Sequence, residues 1–184
     1  LEARNFWESL ILRSNSFDSP ILYEIINYMQ KGDLQFVVED VVFNYRVVIL
    51  LNTPDGYIFE KSGDGYLFAV GGKASINEDS VESAKRELSE ELGLRTPDLK
   101  LVAVVENFFE LVEDKRRYHE LALVYRVDMD TNLDLSEIKS GNSHNLGFVA
   151  IKPENFGSVD IKPAVLPKII LENKDFVHII NKEI

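Results

Sequence analysis

The spacing of hydrophobic and polar positions divides the chain into two regions. In residues 1–33, apolar side chains recur three and four positions apart, which is typical of amphipathic helices. A first stripe includes Phe6 and Leu10, and a second follows Pro20, which suits the first position of a helix. From residue 34 onward this spacing is replaced by short runs of β-branched and aromatic residues. We therefore expect an N-terminal helical extension, residues 1–33, and a separate domain, residues 34–184.

The second region alternates between predicted strands and predicted helices. Strands are expected at residues 35–43, 45–51, 57–61, 66–70, 99–111, 117–127 and 147–151. Helices are expected at residues 80–92 and 163–172, the second with a kink at Pro167, and residues 128–145 form a polar loop. This order predicts an α/β domain in which helices pack on a sheet.

Composition and charge narrow the classes of function. The 184 residues carry a net charge of −11 and include no cysteine. Disulfides and thiolate chemistry are therefore excluded, which is compatible with a cytoplasmic protein. A nucleic-acid polymer is not an expected partner, because such proteins usually carry a basic face. No apolar run approaches the roughly 18 residues that cross a membrane, so no membrane association is expected. An acidic protein can still bind a small phosphate compound through divalent cations.

The helix predicted at residues 80–92 concentrates negative charge on one side. Glu87, Glu90 and Glu91 fall on the same helical face, next to an apolar face that would pack on the sheet. Like charges at this spacing repel each other, and a divalent cation would relieve the repulsion. Clustered carboxylates without histidine or cysteine suit Mg²⁺ or Mn²⁺ better than Zn²⁺. The alternative is an exposed acidic helix stabilised by a Glu82–Arg86 ion pair.

The spacing around this helix decides between these readings. Residues 72–94 match the pattern G-x5-E-x7-R-E-(aliphatic)-x-E-E-x-G-(aliphatic) at every specified position. The stretch therefore resembles the Nudix box, and the resemblance extends over about residues 36–172. It implies an α/β/α sandwich with a mixed sheet, in which a strand leads through Gly71-Gly72 into the box helix. One departure is that Ala69-Val70 stands where many members have Leu-Pro.

The resemblance also implies a reaction and a set of catalytic residues. The expected activity is Mg²⁺-dependent hydrolysis of a diphosphate linkage in a small substrate, a nucleoside diphosphate joined to another group. By position, Glu90 and Glu91 are implied metal ligands, and Glu87 is a ligand or the general base. Further implied roles are a metal contact for the Gly71 carbonyl, orientation of the glutamates for Arg86, and loop support for Glu78. Candidate substrate contacts are Gly72, Lys73 and Arg46.

Several alternatives stay open at this point. The general base can lie outside the box, where the candidates are Glu106, Glu110, Glu120 and Glu137. The histidines, His119, His144 and His178, lack metal-ligand spacing. The N-terminal helices could cover the domain or form a homodimer. A rival function is a nucleotide sensor of the same fold without turnover. The sequence does not select among ADP-ribose, nucleotide sugars, dinucleoside polyphosphates and damaged nucleoside triphosphates as substrates.

Overall fold

A computed structural model describes most of the second region of the chain. The described residues are 32–95, 98–111, 116–136, 138 and 147–183. The predicted N-terminal helices lie outside these residues, as do Glu137, His144 and most of the second half of the polar loop. Within the described ranges, no helix is long and apolar enough to cross a membrane. The account below concerns the compact unit Asp33–Ile184.

The described residues form nine strands, two α-helices and one 3₁₀-helix. The strands are β1 (Gln35–Val38), β2 (Val41–Thr53), β3 (Gly56–Lys61), β4 (Leu67–Lys73), β5 (Lys100–Leu111), β6 (Arg116–Asp128), β7 (Phe148–Ile151), β8 (Ile161–Lys162) and β9 (Val177–Glu183). The helices are α1 (Ser80–Leu92), the 3₁₀-helix (Pro153–Ser158) and α2 (Leu166–Glu172).

All nine strands belong to one mixed sheet. Its main order is β7-β3-β4-β2-β6-β5-β9, while β1 pairs with β2 and β8 pairs with β4. The pairs β2–β6, β5–β9 and β4–β8 are parallel, and the other pairs are antiparallel. The long strands β2 and β6 pair over twelve positions, from Val41 opposite Arg117 to Asn52 opposite Asp128. These central strands form the platform from which the candidate site is built.

Alternating residues of the sheet enter two separate cores. In β2, Val47 and Ile49 pack with Ala84 and Leu88 of α1. The intervening residues of the same strand, such as Val48, belong to a second core with residues of α2 and the 3₁₀-helix. A strand with helices on both faces is expected to be apolar at consecutive positions, as this stretch is. The structure therefore has three layers, and the mixed sheet predicted from the sequence is confirmed.

Two sequence predictions are wrong at the ends of the domain. Residues 35–43 form a hairpin rather than one strand, because the chain turns at Glu39, which has a φ of 56°, and at Asp40. Towards the C-terminus, the predicted helix starts at Leu166 instead of residue 163. Pro167 therefore lies in its first turn, where a missing amide hydrogen is tolerated, and causes no kink. Strands β8 and β9 were not predicted.

Candidate active site

Helix α1 is fixed at both ends by its own sequence. The Asp79 carboxylate accepts hydrogen bonds from the amides of Val81 (2.9 Å) and Glu82 (2.8 Å). The Glu82 carboxylate accepts one from the Asp79 amide at 3.2 Å, which completes a capping box. Gly93 ends the helix in the left-handed conformation. Because Glu82 serves the cap, no Glu82–Arg86 ion pair forms, contrary to the alternative reading of this helix.

The carboxylate of Glu87 lies directly against the backbone of Gly72. A side chain at Gly72 would place its Cβ 2.3 Å from Glu87 Oε1, which is far inside contact distance. Glu87 is only 8% exposed, although it is charged. Contrary to the sequence prediction of a turn, Gly71 and Gly72 lie within strand β4 and pair with Val48 and Val47 of β2. Gly72 must lack a side chain because the Glu87 carboxylate is so close to its backbone.

Gly71 connects β4 to both α1 and β2. Its φ is +140°, and an added Cβ would lie 2.2 Å from the Val47 carbonyl oxygen. The Gly71 amide donates to Glu91 Oε2 at 3.3 Å. The Gly71 carbonyl accepts from Arg46 Nη2 at 3.5 Å. The amide and carbonyl groups of Gly71 thus contact a box carboxylate, Glu91, and the guanidinium of Arg46, respectively.

Arg86 is the centre of a hydrogen-bonded network at the same end of β4. Its Nη1 donates to Glu87 Oε1 at 2.7 Å and to Glu90 Oε2 at 3.1 Å. Its Nε donates to Glu78 Oε1 at 2.9 Å, and its Nη2 donates to Glu78 Oε2 and the Lys73 carbonyl. A single guanidinium therefore holds three box carboxylates and the backbone that leads into the helix.

Glu78 is fully committed to this network. Its Oε2 also accepts hydrogen bonds from Ser83 Oγ at 2.8 Å and the Ser75 amide at 3.1 Å. Although burial opposes it, these bonds and those from Arg86 hold the pKa of Glu78 at about 2. The side chain ties the loop before α1 to the helix itself.

The pKa of Glu91 is shifted in the opposite direction. Burial, reinforced by the nearby carboxylates of Glu60 and Glu87, raises the pKa of Glu91 to about 7. Burial also raises the pKa values of Glu87 and of Glu60, a half-buried residue of β3. The protein therefore stabilises the anionic forms of these carboxylates poorly, although Arg86 and Arg46 lie nearby.

The other candidate residues differ in whether their contacts link them to Gly71 and Gly72. Glu120 of β6 is 4% exposed, and its Oε2 lies 3.9 Å from Arg46 Nη1, so Arg46 links it to Gly71. Glu106 Oε1 instead forms a 2.7 Å hydrogen bond with His178 Nε2. The Lys73 ammonium is bound to Asp33 and Gln35 at 3.2 Å each. Of the candidates for general base outside the box, only Glu120 is therefore linked to Gly71, through Arg46, by contacts among the described residues.

A cavity lies beside Arg46 on the face of the sheet that packs against α2. Its volume is about 320 Å³, and we call it the aromatic cavity because Tyr66, Phe68 and Phe109 line it. Arg46 and Glu120 belong to the same lining. The cavity and the carboxylates of α1 are thus two neighbouring features that share Arg46.

Comparison with known protein families identifies this arrangement. The sequence model of the NUDIX domain matches residues 41–152, which is more than half of the chain. The chain belongs to the Nudix family. The resemblance seen in residues 72–94 is confirmed, and the expected enzyme class, a hydrolase acting on phosphoanhydride bonds, is the class of that family. No curated protein matches the sequence significantly.

Solved structures agree with the Nudix fold. The MutT protein from Bacillus halodurans superposes with a TM-score of 0.56 at 15% identity, covering 73% of this chain and 89% of that one. A Nudix hydrolase from Nitrosomonas europaea gives 0.51 at 13% identity, covering 71% and 87%. The dihydroneopterin triphosphate pyrophosphohydrolase of E. coli gives 0.51 at 13% identity, covering 70% and 92%. At these identities the similarity concerns the fold.

The Nudix box does not present a ready-made metal site in this conformation. Among the residues with described positions, no three His, Cys, Asp or Glu side chains are arranged to hold a metal ion. The reason is visible in the contacts, since Glu87 and Glu90 are turned to Arg86 while Glu91 is bound by the Gly71 amide. Oxygen ligands would have to exchange these hydrogen bonds for a cation.

Sequence reasoning missed two features beside the Nudix box. The first is Glu60, which raises the pKa of Glu91. The signal for it was its spacing, because residues two apart in a strand lie on the same face and Ile58 is buried on the α1 face. The second is the aromatic cavity, whose lining comes from residues far apart in the chain. A spacing pattern along one segment cannot reveal such a cavity.

Proposed function

We propose that this Nudix protein hydrolyses a diphosphate linkage in a nucleoside diphosphate joined to another group, with Mg²⁺ or Mn²⁺ as cofactor. The observation that carries the proposal is the cluster of box carboxylates at Gly71 and Gly72 of β4, where Glu91 accepts a hydrogen bond from the Gly71 amide and Glu87 lies against Gly72. Glu91 has a pKa of about 7 because it is buried near Glu60 and Glu87. A protein that keeps such carboxylates together gains most from a cation and an anionic substrate bound between them.

The donor set fits a hard divalent cation. Glu87, Glu90 and Glu91 would hold it, with the Gly71 carbonyl as a further oxygen ligand. The lack of a Cβ at Gly72 leaves the space that Glu87 occupies, so a ligand carboxylate can lie against the backbone. When bound, the cation would neutralise charge on the phosphoryl oxygens and lower the pKa of the attacking water.

Neighbouring residues of α1, β2 and β4 would orient the ligands and the substrate. Arg86 fixes the carboxylates of Glu87 and Glu90 through its Nη1 group. Arg46 lies between the Gly71 carbonyl and Glu120, where its guanidinium can meet a phosphate oxygen. The Gly72 backbone and Lys73 are the other proposed substrate contacts.

A carboxylate must also take the proton of the attacking water. Glu87 is the candidate within the box, because burial raises its pKa and so makes it a better proton acceptor. Glu120, Glu106 and Glu137 are the candidates outside the box. Proton transfer from water to Glu87 would require that the cation be held mainly by Glu90 and Glu91.

The substitution Glu91→Gln tests the proposed reaction. We expect a loss of at least about 100-fold in phosphate release, because removing a ligand charge costs several kcal/mol of transition-state stabilisation. Release would be measured on ADP-ribose, nucleotide sugars, dinucleoside polyphosphates and nucleoside triphosphates, with Mg²⁺ and with Mn²⁺. Glu154→Gln, at an exposed position of the 3₁₀-helix, is the matched control. Undiminished turnover in Glu91→Gln would contradict the proposal.

Three further predictions accompany this function. Residues 1–33 are proposed to be a helical extension separate from the domain of residues 34–184. That extension is proposed to support a homodimer, which light scattering on the full chain would detect. The third is a cytoplasmic location.

Tight binding of nucleotides by the unaltered chain without turnover of any of them would instead favour a nucleotide sensor.

A further inference from the structure

The aromatic cavity has a composition suited to a flat heterocycle. Its walls include Tyr66, Phe68 and Phe109, and its volume of about 320 Å³ lies at the lower end of the range for small-molecule sites. Aromatic rings offer flat apolar faces on which a nucleobase stacks, largely without regard to its identity. Identity must therefore be read by polar groups in the same cavity.

Two buried polar side chains supply such groups. Asn107 of β5 and Glu120 of β6 are directly opposite each other in the antiparallel register, and both line the cavity. They are 5% and 4% exposed. No residue in the described part of the chain donates a hydrogen bond to the Glu120 carboxylate, whose nearest ionic partner is Arg46 Nη1 at 3.9 Å. The buried carboxylate is thus left with acceptor capacity directed at the cavity.

The orientation of Asn107 is determined by a chain of contacts from β9. Asn181 Nδ2 donates to Glu183 Oε1 and to Asn107 Oδ1, both at 2.7 Å. Because an ionised carboxylate only accepts hydrogen bonds, Glu183 requires the nitrogen of Asn181 on its side. That nitrogen in turn requires the oxygen of Asn107. The Asn107 oxygen is therefore occupied, and no described residue accepts a bond from its Nδ2 group.

The cavity consequently presents a hydrogen-bond donor, Asn107 Nδ2, beside an acceptor with two oxygens, the Glu120 carboxylate. A guanine edge is the complement, since its carbonyl oxygen stands next to two N–H groups. An adenine edge has one amino group beside a ring nitrogen, and would leave one carboxylate oxygen without a donor. Leaving a buried polar atom unpaired costs affinity.

Arg46 connects this cavity to the site of the reaction. It lines the cavity, and its Nη2 donates to the Gly71 carbonyl at 3.5 Å. Its buried Nε atom has no hydrogen-bond partner among the residues described. A heterocycle in the cavity would therefore direct an attached phosphate towards Arg46 and towards Gly71 at the start of the box.

We propose that the aromatic cavity binds the guanine base of the substrate, with Glu120 accepting its two N–H groups and Asn107 donating to its carbonyl. This inference rests on the proposed function and specifies its substrate class. It assigns Glu120 to substrate recognition instead of proton transfer. Asn181 and Glu183 are positioning residues, since they act by orienting Asn107.

Binding of nucleoside monophosphates without metal tests this proposal separately from hydrolysis. We expect calorimetry in the presence of EDTA to give tighter binding of GMP than of AMP by about 10-fold or more, with IMP, which lacks the amino group, in between. The variant Glu120→Gln should weaken GMP binding about 10- to 100-fold and change AMP binding little. Glu154→Gln is again the control, and circular dichroism would verify the fold of each variant.

A second variant tests the positioning chain. In Asn181→Asp the new carboxylate can only accept, so it should attract the Asn107 nitrogen and turn the oxygen into the cavity. The ratio of GMP to AMP affinity should then fall, which a general loss of packing would not produce.

Three results would overturn the proposal. The first is AMP binding as tightly as GMP, and the second is no saturable binding of any monophosphate up to millimolar concentration. The third is a Glu120→Gln variant that keeps GMP binding but loses turnover, which would make Glu120 a proton-transfer group. Each of these leaves the Glu91→Gln test of hydrolysis unaffected.

Discussion

The two ends of the Nudix box carry glutamates in opposite states. Glu78 accepts hydrogen bonds from Arg86, Ser83 and the Ser75 amide, and its pKa is about 2. Glu91 accepts one from the Gly71 amide and has a pKa of about 7 because of burial and neighbouring carboxylates. The same residue type therefore serves two purposes within one motif. The protein stabilises the anionic form of Glu78, whereas burial and neighbouring carboxylates disfavour the anionic form of Glu91.

Arg86 joins these two ends, so removing it should affect the folded state most strongly. In Arg86→Met, the carboxylates of Glu78 and Glu87, whose side chains are 17% and 11% exposed, would lose their main cation. We expect the free energy of unfolding to fall by about 3–5 kcal/mol, as when a buried ion pair loses one partner. Urea denaturation followed by circular dichroism would measure it.

Arg117 provides a matched control for that substitution. It also makes paired hydrogen bonds to a carboxylate, that of Asp40, but the two side chains are 57% and 65% exposed. Exposed ion pairs contribute little to stability because solvent screens them, so Arg117→Met should lower the free energy of unfolding far less than Arg86→Met. Equal losses in the two variants would contradict a special role for the Arg86 network.

The substitution Glu78→Gln acts on one end of the box alone. We expect it to lower the free energy of unfolding by about 2 kcal/mol, since hydrogen bonds to a charged group are lost or weakened. Glu82→Gln is the control, because glutamine at this position also completes a capping box. Thermal and urea unfolding of both variants would measure the difference. A loss in Glu82→Gln as large as in Glu78→Gln would show that the helix cap, and not the network, dominates.

The parts of this molecule that the sequence predicted are those determined by local spacing. The box motif identified the family, and the helix predicted at residues 80–92 has these bounds in the structure. Apolar runs located the long strands β5 and β6 to within one residue at each end, whereas β2 was predicted as parts of two strands. Each of these signals lies within one segment, so backbone preference and side-chain burial act on neighbouring residues.

The parts that it did not predict depend on contacts between distant segments. The hairpin at Glu39 interrupts an apolar run that reads as one strand. Strand β9 is recognisable mainly from its parallel pairing with β5, seventy or more residues earlier. The Asn107–Asn181 hydrogen bond follows from that pairing and from nothing local. Roles of the box residues as ligands or base stay predictions until the substitutions are measured.

The smallest expected effect is on the pH dependence of stability, to which Glu91 and Glu78 should contribute with opposite signs. The pKa of Glu91 is raised in the folded state from an ordinary value of 4.5 to about 7. Its contribution is therefore present below pH 4.5 and is lost as the pH rises to 7. With EDTA present, we expect a decline of about 1–2 kcal/mol over this window, less than the full shift implies because the carboxylate is partly solvated.

Glu78 should act in the opposite direction. Its pKa is lowered from 4.5 to about 2, so its contribution is present above pH 4.5 and is lost as the pH falls towards 2. Urea denaturation across pH 3–8 should therefore show a maximum near pH 4.5 in the metal-free protein. Glu91→Gln should flatten the decline towards pH 7, and Glu78→Gln should flatten the decline towards acid. If Glu91→Gln left the neutral limb unchanged, the excess charge would have to reside on Glu87 or Glu60, whose pKa values are also raised by burial.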